Sequence, residues 1–111
     1  MNEREMLELA AKAVGLHLVG YDEISKRGIV ATEIPIKTLP VSWCPHEDDG
    51  DALRLAVKLK LHIGLEDNTV SVWHREEFGN FQTERLMDRG DAAATRRAIV
   101  RAAAEVGKAM P

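Results

Sequence analysis

The chain predicts an α+β fold, a compact single domain of about α-ββ-α-ββ-α in which an antiparallel sheet packs with helices. Three observations carry that expectation. Amphipathic segments with helix-capping residues open, divide and close the chain. Two pairs of β-rich runs, each broken by a polar turn, lie between them. The segment Trp43-Cys44-Pro45-His46-Glu47-Asp48-Asp49-Gly50-Asp51 joins an aromatic anchor, a chain stop and a helix start. With 111 residues and 45% hydrophobic content, one domain with a modest core needs no metal or disulfide staple.

The elements follow in order. Asn2-Glu3-Arg4-Glu5 reads as a capping box with Asn as the cap, and Met6, Leu9, Ala10 and Ala13 recur at helical spacing until Gly15, so a helix is expected over 3–14. Residues 16–21 are strand-like, 22–28 are rich in charge and turn formers, and 29–32 can return as a partner strand. Pro35 and Pro40 bracket 34–39; because proline lacks an N–H donor, a strand there must lie on an edge, and the segment is read as a connection.

Residues 53–63 pull in two directions. Leu53, Leu55, Val57, Leu59, Leu61 and Ile63 alternate with Arg54, Ala56, Lys58, Lys60 and His62, which is the period of a strand. A helical wheel instead puts Arg54, Lys58 and His62 on one polar stripe, with Lys60 the single charge in the apolar arc, where its stem can snorkel. Pro45 turns the chain away from helix, the Asp and Gly residues after it favour a helix N-terminus, and Ala, Leu, Arg and Lys have good helix propensity. A helix is therefore expected from near Asp49 to about Leu61, with a strand as the alternative. Asp67-Asn68 marks a turn, 69–74 is a strand, 78–81 a second turn, and 81–86 pairs back before Asp88-Arg89-Gly90. Asp91 then caps a closing helix over 92–110, with Thr95, Ile99, Ala103, Val106 and Met110 as its buried seam and Arg97, Arg101, Glu105 and Lys108 outside. No internal repeat or low-complexity segment is apparent.

The formal charge of −3, from 15 basic and 18 acidic residues, gives no generic attraction for nucleic acid or acidic membranes and is too mild for DNA mimicry. No apolar run approaches the roughly 20 residues that span a bilayer. One cysteine permits no internal disulfide, and no charged-then-apolar leader opens the chain, so a reducing, cytoplasmic setting is expected.

Candidate chemistry is sparse. Cys44, His46, Glu47, Asp48, Asp49 and Asp51 include every common metal-ligand type, but Cys44 and His46 are one residue apart, no second Cys exists, and a calcium loop's closing bidentate Glu is missing; no metal is expected. His17, His46, His62 and His74 fall on different elements, and Ser25, Ser42 and Ser71 lack a nucleophile-elbow context, so no catalytic residue and no cofactor is assigned. Acidic neighbours make Cys44 an unreactive thiol. The stripe Arg96, Arg97, Arg101 and Lys108, near Arg85 and Arg89, could meet phosphates, but five aromatics offer little stacking surface. Trp43 and Trp73 read as core anchors.

Trp43-Cys44-Pro45 with 49–56, and the closing stretch 94–107, resemble small bacteriophage accessory proteins of the NinX and phage ABA-sandwich type, over about a third of the chain. The resemblance implies a compact sheet packed with helices and a phage or prophage origin, and supplies no catalytic residues. The expected function is thus a non-enzymatic protein that binds and modulates a host protein, such as an inhibitor of an antiviral defence system of the anti-CRISPR kind. Its expected contact residues are Tyr21, Lys26 and Arg27 on the first hairpin and Arg97 and Arg101 on the last helix. A nucleic-acid or nucleotide-binding module using the last helix is the alternative, no membrane partner is expected, and self-association is allowed.

Overall fold

The computed structural model describes residues 2–24, 27–34, 37–74, 82–85 and 91–110, with backbone alone for 27, 29–34, 37–42 and 82–85. In chain order the elements are α1 (Glu3–Ala13), β1 (His17–Asp22), β2 (Arg27–Ile34), β3 (Lys37–Trp43), α2 (Asp49–Leu59), β4 (His62–Leu65), β5 (Thr69–Trp73), β6 (Gln82–Arg85) and α3 (Asp91–Ala109). The α+β architecture is as expected. Each half, however, holds a third strand, so two antiparallel meanders, β1-β2-β3 and β4-β5-β6, replace the two hairpins.

Each added strand has a physical reason. Residues 34–39, read as a connection because of their prolines, instead hold the end of β2 and the start of β3, with Ile34 opposite Lys37 and Pro40 opposite Ala31. β3 is an edge strand, where proline's missing donor costs least. β4 arises because α2 stops earlier than expected. Lys60 adopts the left-handed conformation at φ 56°, ψ 46°, and the N–H groups of Lys60 and Leu61 donate to Val57 O and Ala56 O. This is a Schellman exit, normally given to glycine. It resolves the misplaced charge of the helical wheel, since Lys60 lies beyond the helix, and it releases His62 to alternate as a strand. The expected turns at 78–81 and 88–90 lie outside the described residues.

The two halves share one pattern of residues, an internal repeat that the sequence alone did not make apparent. Asn2 caps α1 by accepting the Glu5 N–H at 2.8 Å, and Asp48 caps α2 by accepting the Asp51 N–H at 2.8 Å. At matching distances from those caps stand Leu7-x-Leu9-Ala10-x-Lys12 and Leu53-x-Leu55-Ala56-x-Lys58. After the Schellman exits come Leu16-His17 and Leu61-His62, the first through Gly15 at φ 75°, with the Leu16 N–H on Ala11 O. One extra residue at the end of α1, and a register shift between Leu18 and Gly20 in β1, separate the two patterns.

α3 lies between the halves and packs on α1, α2, β5 and β6. Its buried arc is Ala94, Ala98, Ile99, Val100, Ala102, Ala103, Ala104 and Gly107. That arc is broader than the expected seam: Thr95 and Val106 are half-buried and Met110 is exposed. A helix covered from several directions buries its small residues, because those let neighbours approach. A Cβ on Gly107 would collide with the backbone carbonyl of Leu9, so the α1–α3 crossing tolerates no side chain there. Lys12 Nζ donates to Met110 O at 3.1 Å, placing a cation at the negative end of α3. Leu7, Val70 and Val72 are fully buried, and Trp43 and Cys44 join them.

Candidate functional site

Trp43 closes β3 against the core, and the chain then turns sharply. Cys44 O accepts the N–H groups of Glu47 and Asp48 at 2.9 and 2.7 Å, and the fully buried Pro45 fills the bend. Asp51 reaches back from the first turn of α2, its Oδ2 accepting the Cys44 N–H at 2.9 Å while its Oδ1 accepts from Arg54 Nη2 at 2.6 Å. That hydrogen bond holds the Arg54 guanidinium above its ordinary pKa. From α3, Arg96 donates to Asp49 Oδ1 at 2.6 Å and to His46 O at 3.3 Å, tying the start of α2 to the last helix. The carboxylates read as caps and solvated charges therefore do cap and clamp. Among the described residues no group of three or more His, Cys, Asp and Glu side chains is arranged to hold a metal ion, and no described helix is long and apolar enough to cross a membrane.

This clamp forms one wall of a groove of about 670 Å³ between α2, β4 and the start of α3. The groove exists because α3 covers the β4-β5-β6 sheet unevenly. Ile63 and Leu65 stand opposite Val72 and Val70, so all four share the sheet's inner face. The helix packs on β5 and β6 and buries both valines, but β4 is the outer edge, leaving Ile63 38% and Leu65 67% exposed. Leu53, 61% exposed on α2, faces the same groove. Ala52 and Ile99 also line it, and Asp49, Glu66, Asp67 and Asp91 edge it with negative charge against Arg96, the single cation among the described lining residues. On the sheet's other face Trp73 stacks on His62, with ring centroids 5.5 Å apart and planes inclined by 12°, and its ring covers Gly64.

Of the residues expected to contact a partner, those described with their side chains lie elsewhere. Tyr21, on β1, is half-buried against the core; burial first, then the charges of Glu3, Glu23, Glu47 and Asp22, push its phenol above the usual value. Lys26 falls outside the described residues, and Arg27 opens β2 with its backbone opposite Asp22. Arg97 and Arg101 are one turn apart on α3 and half-buried, while Arg96 is committed to Asp49 and His46. Among the described side chains, Tyr21, Arg97 and Arg101 do not line the groove. Its apolar members Leu53, Ile63 and Leu65 were not among the expected contacts; the signal for them in the sequence is the alternation over 53–63, which carries more large apolar residues than the buried face of α2 and the start of β4 use.

Among known proteins, the chain matches no family model, no curated relative and no solved structure.

Proposed function

We propose that the chain is a non-enzymatic binding protein whose α2–β4–α3 groove takes an apolar segment with basic flanks from a partner protein. The observation that carries this reading is the exposure of Leu53, Ile63 and Leu65 around one concavity edged by Glu66, Asp67 and Asp91. Contiguous exposed apolar side chains with a polar rim are the composition of a recognition surface. The carboxylates add orientation, since a cationic flank gains and an anionic one loses at that rim. On the phage resemblance of 43–45, 49–56 and 94–107, the partner is a host protein and the effect of occupying it is to disarm an antiviral defence.

Calorimetric titration with an amphipathic peptide of leucines flanked by lysines tests the site. The unaltered chain should bind it, and Leu53→Asp and Leu65→Asp should each weaken binding at least tenfold, about 1.4 kcal/mol, with unchanged circular dichroism. Binding indifferent to both substitutions would remove the groove from consideration. Capture of nucleic acid, with an affinity that falls steeply with salt and with loss of Arg97 and Arg101, would move the function to the last helix.

A further inference from the structure

The groove also borders an open main-chain edge. β4 pairs with β5 on one side only, in the register His62 to Trp73, Ile63 to Val72, Gly64 to Ser71 and Leu65 to Val70. At the turn the Glu66 N–H donates to Thr69 O at 2.9 Å. In an antiparallel pair, residues that exchange hydrogen bonds alternate with residues that do not. Glu66, Gly64 and His62 therefore bond to β5, and the N–H and C=O groups of Ile63 and Leu65 point away from it. Among the described residues no backbone group bonds to those four. The side chains of the same two residues line the groove, so one short stretch offers both main chain and apolar surface. The other sheet edges carry features that β4 lacks: β1 is irregular between Leu18 and Gly20, β3 contains Pro40, and β6 contains Glu84 and Arg85. Irregularity, proline and charge are the usual guards of an exposed edge. β4 pairs regularly and has no proline, carboxylate, lysine or arginine.

The charges beside this edge limit what can pair with it. Arg96, the cation of the lining, is held by Asp49 at 2.6 Å. Glu66, Asp67 and Asp91 form no ion pair among the described residues. The uncompensated charge of the rim is therefore negative, and two of its three carboxylates follow directly on β4. Resting on the reading that the groove takes a partner's apolar segment, we infer that this segment docks in extended form, as a fourth, antiparallel strand on β4. Its pattern is basic, basic, apolar, any, apolar. The first apolar residue stands opposite Leu65 and the second opposite Ile63. Both exchange main-chain hydrogen bonds with β4, and both project to the groove face, beside Leu53 and Ile99. Because the added strand runs against β4, the residues before its apolar pair reach Glu66 and Asp67, where opposite charges across a pair are favourable. A helix in the groove would satisfy none of the four main-chain groups.

Titration with acetyl-Lys-Lys-Val-Thr-Val-Thr-amide and its N-methylated forms reads the main chain directly. Methylating either valine nitrogen removes a hydrogen bond to β4 and should weaken binding about tenfold. Methylating the first threonine nitrogen, which faces away, should leave binding nearly unchanged. In the complex the Ile63 and Leu65 amides should exchange with solvent about tenfold more slowly, and moving both lysines to the other end of the peptide should weaken binding. Equal losses at all three nitrogens, unprotected Ile63 and Leu65 amides, or equal or tighter binding of the reversed order overturns the inference. So does a hexapeptide that fails to bind where the leucine–lysine peptide binds. Protection of those amides without peptide, together with a doubled mass, also overturns it by giving the edge to a second copy. Failure of the groove reading is distinguishable, because it shows as peptide binding indifferent to Leu53→Asp and Leu65→Asp. A helical occupant shows instead as binding sensitive to both substitutions but without the alternating response to methylation.

Discussion

The two α-βββ halves use the same local grammar and reach opposite outcomes. Both begin with a side-chain cap on the third helical N–H, run eleven helical residues, leave through a left-handed residue and enter a strand at Leu-His. In the first half the sheet lies beside its own helix and Leu7 is fully buried; in the second the sheet lies on α3, and the matching Leu53 is 61% exposed. The aromatic anchors diverge likewise: Trp43 at the end of β3 is 7% exposed in the core, whereas Trp73 at the end of β5 lies half-buried on His62 and Gly64. Equivalent sequence thus stabilises one half and leaves a surface on the other. Burial belongs to the arrangement of neighbours, and Leu53, Ile63 and Leu65, released from it in the second half, line the proposed binding groove.

The contrast can be broken most severely at Trp43. Trp43→Ala should cost about 3 to 5 kcal/mol, as expected for removing a buried ring, whereas Trp73→Ala should cost clearly less; chemical denaturation of both variants reads the difference. An equal cost would mean that the second half's tryptophan is as structural as the first's.

Gly107→Ala is the next largest change. A glycine in the middle of a helix normally gains about 1 kcal/mol on replacement by alanine, but here the new methyl meets Leu9 O and the α1–α3 crossing must open. A loss of about 3 kcal/mol is expected, and a lowered melting temperature checks the sign. A stabilised variant would show that α1 is free to shift along α3.

Between the repeats themselves the sharpest test is Leu7→Ala against Leu53→Ala. The first should lose about 2 to 5 kcal/mol and the second no more than about 0.5 kcal/mol, as for an ordinary surface position. Denaturant midpoints that move together would erase the distinction. At the helix exits, Lys60→Gly should give the second half what Gly15 gives the first, adding about 0.5 to 1 kcal/mol once the greater freedom of unfolded glycine is set against the relieved left-handed strain.

The smallest effect is at Tyr21, the chain's one tyrosine. Its phenol is raised by burial and by acidic neighbours, so the folded state holds the proton more tightly than the unfolded state does. That contribution is fully present below the unfolded pKa of about 10 and is lost as pH rises through the higher folded value. Spectrophotometric titration should place the native midpoint above that of the denatured chain, and Glu3→Gln should move it part of the way down.

Much of this molecule was legible from local chemistry. Asn2, Asp48 and Asp51, the glycine after α1, the turn at Asp67-Asn68 and the start of the last helix at Asp91 act through groups a few residues away, so the residues themselves report the interaction. The helix of α2 could be chosen over a strand for the same reason, because its start signals are local. Tertiary structure decided what depends on distant neighbours: that Pro40 lies on an edge strand, that Lys60 ends a helix in a conformation its side chain disfavours, and that alanines rather than Thr95 and Met110 line the buried arc of α3. It also decided the candidate site. Leu7 and Leu53 occupy equivalent places in nearly the same local sequence, and which of them meets water was set by where each three-stranded sheet packed, since hydrophobic burial is a property of the surface that covers a side chain and not of the side chain alone.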